Sequence, residues 1–261
     1  ARPGDKPEAG APVWKEAGAF VWHPGAFPTD IAIPKLKAAG VKWVAPQIAD
    51  GMTVNQETAA VVESYIKRCR EAGIKVGFWG VNRTSPEAEA RLAADLCRKC
   101  GPDFYIANAE IEHKYTSADG SPSAEAYDRS QRWISTFRKA LPDMPAALSS
   151  YGRADLADID WKAWRDAGFD WLPQAYLNDF DSCDPKLAVE GAIKAGWPRD
   201  GVHPTLGLWG GGQTRVVPAG EYVESLRKAG TVGFSFYLAE QMVEADWPVL
   251  GEAIARGDLS R

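Results

Sequence analysis

The sequence predicts an α/β fold, a single-domain (β/α)8 TIM barrel, from three observations. A helix-like segment that ends in glycine and runs straight into a short β-branched or aromatic stretch recurs along the chain. Strand candidates separated by helical stretches can be laid out from end to end, as parallel pairing with crossover connections requires. The length of 261 residues suits a barrel, which takes ~250. With 45% hydrophobic and 25% charged residues, the chain can bury a sizeable core.

Residues 1–17, rich in Pro, Gly, Ala and charge, read as an N-terminal linker or arm, leaving 18–261 as the barrel domain. Gly18 opens AFVWH, a first strand ending near Trp22, and a short helix follows near 30–39. Ala39-Gly40 precedes VKWVAPQ, which ends near Gln47, and helix 56–72 closes at Gly73 before IKVGFWG, which ends near Trp79. Helix 85–100 leads through Gly101 to PDFYIANAE, ending near Asn108, and helix 121–140 leads to AALSSY, ending near Ser149. Helix 159–167 closes at Gly168 before FDWLPQAY, ending near Gln174. Helix 184–195 precedes a strand ending near Leu208, helix 218–229 closes at Gly230 before TVGFSFY, ending near Tyr237, and helix 244–256 completes the ring. A doubly wound open sheet would carry a GxGxxG turn after its first strand, and VWHPGAF is not one.

Composition removes several function classes. Lys+Arg number 30 against 35 Asp+Glu, a net charge of −5, so no basic footprint marks a nucleic-acid partner. No apolar run approaches the ~18 residues of a membrane span, so no membrane insertion is expected. No leader opens the chain, and an export signal is expected to lie outside it. Cys97 and Cys100 form a CxxC without a second pair, and His23, His113 and His203 form neither HxH nor HExxH. No metal or cofactor is expected.

In a barrel the chemistry gathers where the strands end. The strand ends here carry Trp22, His23, Gln47, Asp50, Trp79, Asn108, Glu110, Glu112, Tyr151, Gln174, Tyr176, Asn178, Trp209, Tyr237 and Glu240. Strand parity places Phe104, Ile106, Asn108, Glu110 and Glu112 on one face, with Tyr105, Ala107, Ala109 and Ile111 on the helix-packing face. Two glutamates ~7 Å apart on a lumenal face can raise one another's pKa, which keeps a carboxylic acid protonated near neutrality. The same parity groups Leu172, Gln174, Tyr176 and Asn178, polar residues that need hydrogen-bonding partners when buried. For the eighth strand the pattern does not say whether the Phe236 or the Tyr237 face points inward. Glu240 remains a second carboxylate, with Asp50, Asp179 and Asp181 as alternates. Tryptophans at the rim offer planes on which the C–H faces of sugars can lie.

The motifs resemble glycosidase barrels. EIE at 110–112 is similar to the DxE that ends the fourth strand of family-25 type lysozymes and family-18 chitinases. GIKVGFWGVNRTSPEAEARLAADLC resembles the third strand and following helix of the lysozyme group, and QAYLN at 174–178 resembles the sixth strand of the chitinase group. The resemblance implies Glu112 as proton donor, Glu110 as its partner, and Gln174, Tyr176 and Asn178 as sugar contacts. The lysozyme group's first-strand Asp and the chitinase group's eighth-strand Trp are missing.

The function expected is therefore hydrolysis of a polysaccharide such as a bacterial cell-wall glycan, with Glu240 as an across-the-barrel nucleophile if two carboxylates act. The setting expected is extracellular or virion-associated, with other domains of a longer chain as partners. A competing reading is a catalytically silent carbohydrate-binding or structural module of a phage tail or cell-surface protein. A third uses Gly210, Gly211, Gly212 and Arg215 to cradle phosphate.

Overall fold

The computed structural model describes residues 13–113, 124–154, 159–178, 183–208 and 217–257. Eight parallel strands close on themselves: β1 (Gly18–Val21), β2 (Trp43–Asp50), β3 (Lys75–Val76 and, past Gly77, Phe78–Asn82), β4 (Tyr105–Ala109), β5 (Ala146–Tyr151), β6 (Asp170–Ala175), β7 (Thr205–Gly207) and β8 (Ser235–Tyr237). Each pairs with its neighbour in sequence, and β8 returns to β1 with Ser235 opposite Gly18. Around them run α1 (Thr29–Ala38), α2 (Gln56–Glu71), α3 (Pro86–Cys100), α4 (Ala124–Ala140), α5 (Trp161–Asp166), α6 (Pro185–Lys194), α7 (Ala219–Ala229) and α8 (Asp246–Ala255).

The helix–glycine–strand unit has the cause its sequence suggests. Gly40, Gly73, Gly168 and Gly230 take φ of 73, 78, 72 and 62°, the left-handed region that ends a helix and turns the chain into the next strand. At the other helix ends, the Asn55 side chain accepts the N–H groups of Glu57 and Thr58, Asp160 accepts that of Ala163, and Asp184 that of Leu187. Such caps are worth ~1 kcal/mol each.

Two concentric apolar layers follow from strand alternation. The outer layer packs residues such as Phe78, Tyr105, Ala107, Trp171 and Phe236 against the helices. The inner layer fills the barrel with Phe20, Trp43, Ala45, Trp79, Phe104, Ile106, Ala147 and Leu172. Its floor is closed by Trp14, which meets Trp43 edge-on at 5.6 Å and Phe104 at 4.8 Å between ring centroids. Trp14 sits on a single 3-10 turn, Val13–Lys15, inside the stretch read from composition as a linker or arm, and is 2% exposed. A Cβ on Gly18 would enter the Trp43 ring, and one on Gly77 would enter the Phe104 ring, so these bare positions make room for the floor.

β2 also differs from its expected end near Gln47. It continues to Asp50 and folds back at Thr53–Val54, with Ala49 opposite Val54, raising a short hairpin at the barrel mouth.

Candidate active site

β4 ends at Ala109, and the inner packing of Phe104 and Ile106 aims Asn108 into the barrel, as parity predicts. β6 does the same with Leu172 inside and Trp171 outside, so Gln174 also faces inward. The two amides and Glu110 form one cluster across the mouth. Gln174 Nε2 donates to Glu110 Oε1 at 2.6 Å and to Asn108 Oδ1 at 3.1 Å, while Asn108 Nδ2 donates to the same Glu110 oxygen at 3.1 Å. The Glu110 carboxyl is thereby fixed in orientation from two strands. Gln174 Oε1 is buried and has no partner.

The open question about β8 is answered by packing. Phe236 turns outward against Trp247 at 5.6 Å, and Tyr237 turns inward, stacked on Tyr176 at 6.0 Å and edge-on to Trp79 at 6.0 Å. Burial pushes the Tyr237 phenol up, and the charges of Glu240 and then Glu110 push it further. Glu240 follows on a 3-10 turn, Ala239–Gln241, and reaches over to β1, where its Oε1 accepts the N–H groups of Trp22 at 2.9 Å and His23 at 3.0 Å. Burial raises the pKa of Glu240 against the opposing pull of those two donors. Its Oε2 is buried and unpartnered, as is the hydroxyl of Tyr65 from α2, which feels the Glu240 charge.

Glu112 departs from the predicted arrangement. The strand has ended, and Ile111–His113 forms a 3-10 turn, so the period of two no longer governs where the side chain goes. Glu112 Oε1 accepts from Arg83 Nη1 at 2.8 Å, and its buried Oε2 has no partner. Arg83, which follows β3, also holds Asp50 in a two-pronged pair, Nε to Oδ1 at 2.7 Å and Nη2 to Oδ2 at 3.0 Å. The backbone N–H of Arg83 is anchored on the buried Glu89 at 2.8 Å. Sequence reading passed over Arg83; its place directly after VN, at the end of a strand, was the available signal. The neighbouring His113 is fully buried, with Nδ1 against Ser130 Oγ at 3.0 Å, and burial drives its pKa down to about 4.

Other candidates divide. Gln47 points inward, and its Oε1 accepts from Asn55 Nδ2 at 3.3 Å. Tyr151 closes β5, half-buried. Trp79 lies within the inner apolar layer, 4% exposed, with its indole N–H donated to the Val21 carbonyl at 3.0 Å, so it supports the mouth from below rather than lining a rim. Asn178 does not share the face of Gln174, because β6 stops at Ala175. Asn178 Oδ1 instead accepts from the Tyr222 hydroxyl of α7 at 3.3 Å, a contact within the helix layer. Trp209, Asp179, Asp181, Gly210, Gly211, Gly212 and Arg215 lie outside the described residues. Among the described residues, no cluster of His, Cys, Asp and Glu is placed to hold a metal ion, and no helix is long and apolar enough to cross a membrane.

The closed parallel barrel is a fold shared with solved chitinase and mannanase structures. The chain is similar to chitinase ChiA74 from Bacillus thuringiensis, with TM-score 0.64 and 11% identity over 94% of this chain and 69% of that one. It is similar to chitinase ChiW from Paenibacillus sp., with TM-score 0.64 and 11% identity over 94% of this chain, and spans 43% of that longer protein. It is also similar to a beta-mannanase from Streptomyces thermolilacinus, with TM-score 0.54 and 15% identity over 85% of this chain and 78% of that one. At such identities the likeness establishes the fold alone. No family model and no curated protein sequence matches the chain.

Proposed function

We propose that this domain is a glycoside hydrolase acting on a polysaccharide, a bacterial cell-wall glycan being the favoured class, outside the cell or on a virion. The observation that carries the reading is Glu110: one carboxyl, held by the Asn108 and Gln174 amides from two strands, at the same end of the barrel where Glu240 bridges from β8 to the Trp22 and His23 N–H groups. Two carboxyl groups flanking a bond are what glycoside hydrolysis requires, one to protonate the leaving oxygen and one to act as base or nucleophile. Glu240, with its raised pKa and unpartnered Oε2, supplies the proton. Glu110 acts on the opposite side. Tyr176, Tyr237 and Tyr151 provide ring faces and hydroxyls for the sugar, and Gln47 another amide. The structural neighbours support a carbohydrate, since they include chitinases and a mannanase.

A binding-only module, carried within a longer chain, is favoured by one feature. Glu112, which the DxE resemblance nominates as donor, has an oxygen taken by Arg83. Turnover of peptidoglycan, chitin and mannan by Glu110→Gln and Glu240→Gln separates the readings. Loss of turnover in both supports the hydrolase. Wild-type binding without any product selects the silent module, and unchanged turnover in both variants ends the assignment of this pair.

A further inference from the structure

We propose that Trp22, seated on His23 at the end of β1, is a stacking subsite for a pyranose ring, held rigid by Glu57 and Glu240; the inference rests on the reading that the mouth takes a polysaccharide. Trp22 is 40% exposed, whereas the other tryptophans among the described residues are buried or half-buried. Leaving part of an indole in water forgoes favourable burial. Nothing in the local backbone forces that exposure, because the chain around it is tightly held.

Six interactions fix the segment. Glu240 Oε1 receives the N–H groups of Trp22 and His23, and Asn55 Nδ2 donates to the Trp22 carbonyl at 3.4 Å. The His23 ring lies beneath the indole, centroids 4.9 Å apart and planes 23° from parallel. Glu57 grips that imidazole, Oε2 to Nδ1 at 3.2 Å, and its Oε1 takes the Gly25 N–H at 2.5 Å. One face of the indole is thus covered by a ring that is itself clamped, while the side chain stays 40% exposed. A flat apolar plane with fixed orientation, rimmed by carboxylates and an amide, matches a pyranose, which offers C–H groups on its face and hydroxyls at its edge. Preorganisation lowers the entropy lost on binding. Glu57 is a positioning residue here, acting through His23.

The test is equilibrium binding of chitopentaose and mannopentaose by calorimetry, with thermal unfolding of each variant as a control on folding. Trp22→Ala is expected to weaken the bound oligosaccharide ~5–10-fold, Trp22→Tyr to stay within ~3-fold of wild type, and Glu57→Ala to weaken it ~2–3-fold by freeing the imidazole. Trp22→Ala binding as tightly as wild type, or wild type binding neither sugar, overturns the subsite. The outcomes also separate from the hydrolase reading: turnover lost in Glu110→Gln with Trp22→Ala affinity intact overturns the subsite alone. Trp22→Ala affinity lost with Glu110→Gln turnover intact overturns the Glu110 assignment alone.

Discussion

The two ends of this barrel are built from opposite materials. At the floor, Trp14, Trp43 and Phe104 meet edge to face, and no ligand is needed to satisfy them. At the mouth, Asn108, Gln174, Glu110 and Glu240 carry hydrogen-bonding capacity that the protein itself does not exhaust, as the unpartnered Gln174 Oε1 and Glu240 Oε2 show. Buried polar atoms without partners are costly, and those at the mouth lie where a hydrogen-bonding ligand could complete them. The contrast predicts that the floor carries stability and the mouth the proposed chemistry, and that the two ends respond to mutation independently.

The largest expected effect tests the mouth. Glu110→Gln keeps the shape and lowers turnover ~10²–10⁴-fold, with thermal unfolding close to wild type. Glu112→Gln, by contrast, is expected to lose less, because Glu112 faces Arg83 and not the amide cluster. A greater loss in Glu112→Gln would return the donor role to the residue that the DxE pattern nominates.

The complementary test is at the floor. Trp14→Ala is expected to cost ~3–5 kcal/mol in denaturant unfolding while leaving oligosaccharide affinity unchanged. If affinity falls in step with stability, the independence of the two ends is wrong.

A smaller effect should appear in the pH dependence of stability. Asp170, at the start of β6, has its pKa pushed up to about 6 by burial and by the Asp200 charge, with Lys15 opposing. A folded value above the unfolded one means that its contribution is intact below pH ~4 and is lost as pH rises through about 6. Asp170→Asn should therefore match wild type in acid and exceed it by ~1–3 kcal/mol at pH 8 in urea unfolding. His203, close to the same Lys15 and Asp200, slopes the other way: burial holds its pKa at about 4, so its contribution is lost as pH falls from the unfolded value. The comparison with Asp170→Asn isolates the carboxylate from this opposing slope.

The smallest effect concerns Arg83. Its pairs with Asp50 and Glu112 are partly exposed, so Arg83→Met should cost only ~1 kcal/mol, read as a small shift in unfolding midpoint. A loss several times larger would show that the ion-paired cluster organises the rim.

The fold was legible because its signal is local and repeated. Gly40, Gly73, Gly168 and Gly230 each mark a helix end that a reader of the chain can see without knowing what packs where. Asn108 and Gln174 were legible for the same reason, since they lie within the regular period of their strands. Glu112 and Asn178 were misplaced because that period stops with the strand, and Ile111–His113 obeys the geometry of a turn. Arg83 gains its meaning from three strand ends converging in space, which no stretch of sequence displays. Trp14 lies in a stretch whose Pro, Gly and charged composition reads as a linker or arm, although the indole itself packs as a core residue.

Gly18 and Gly77 carry a consequence for how this chain can change. Each yields its side-chain volume to a ring on or just before the adjacent strand, so an alanine at either place has no room until Trp43 or Phe104 shrinks. The bare position and the ring that overlies it are therefore tied: divergent descendants should alter both partners of a pair or neither, and an engineer who wishes to widen the lower barrel has to begin with the ring.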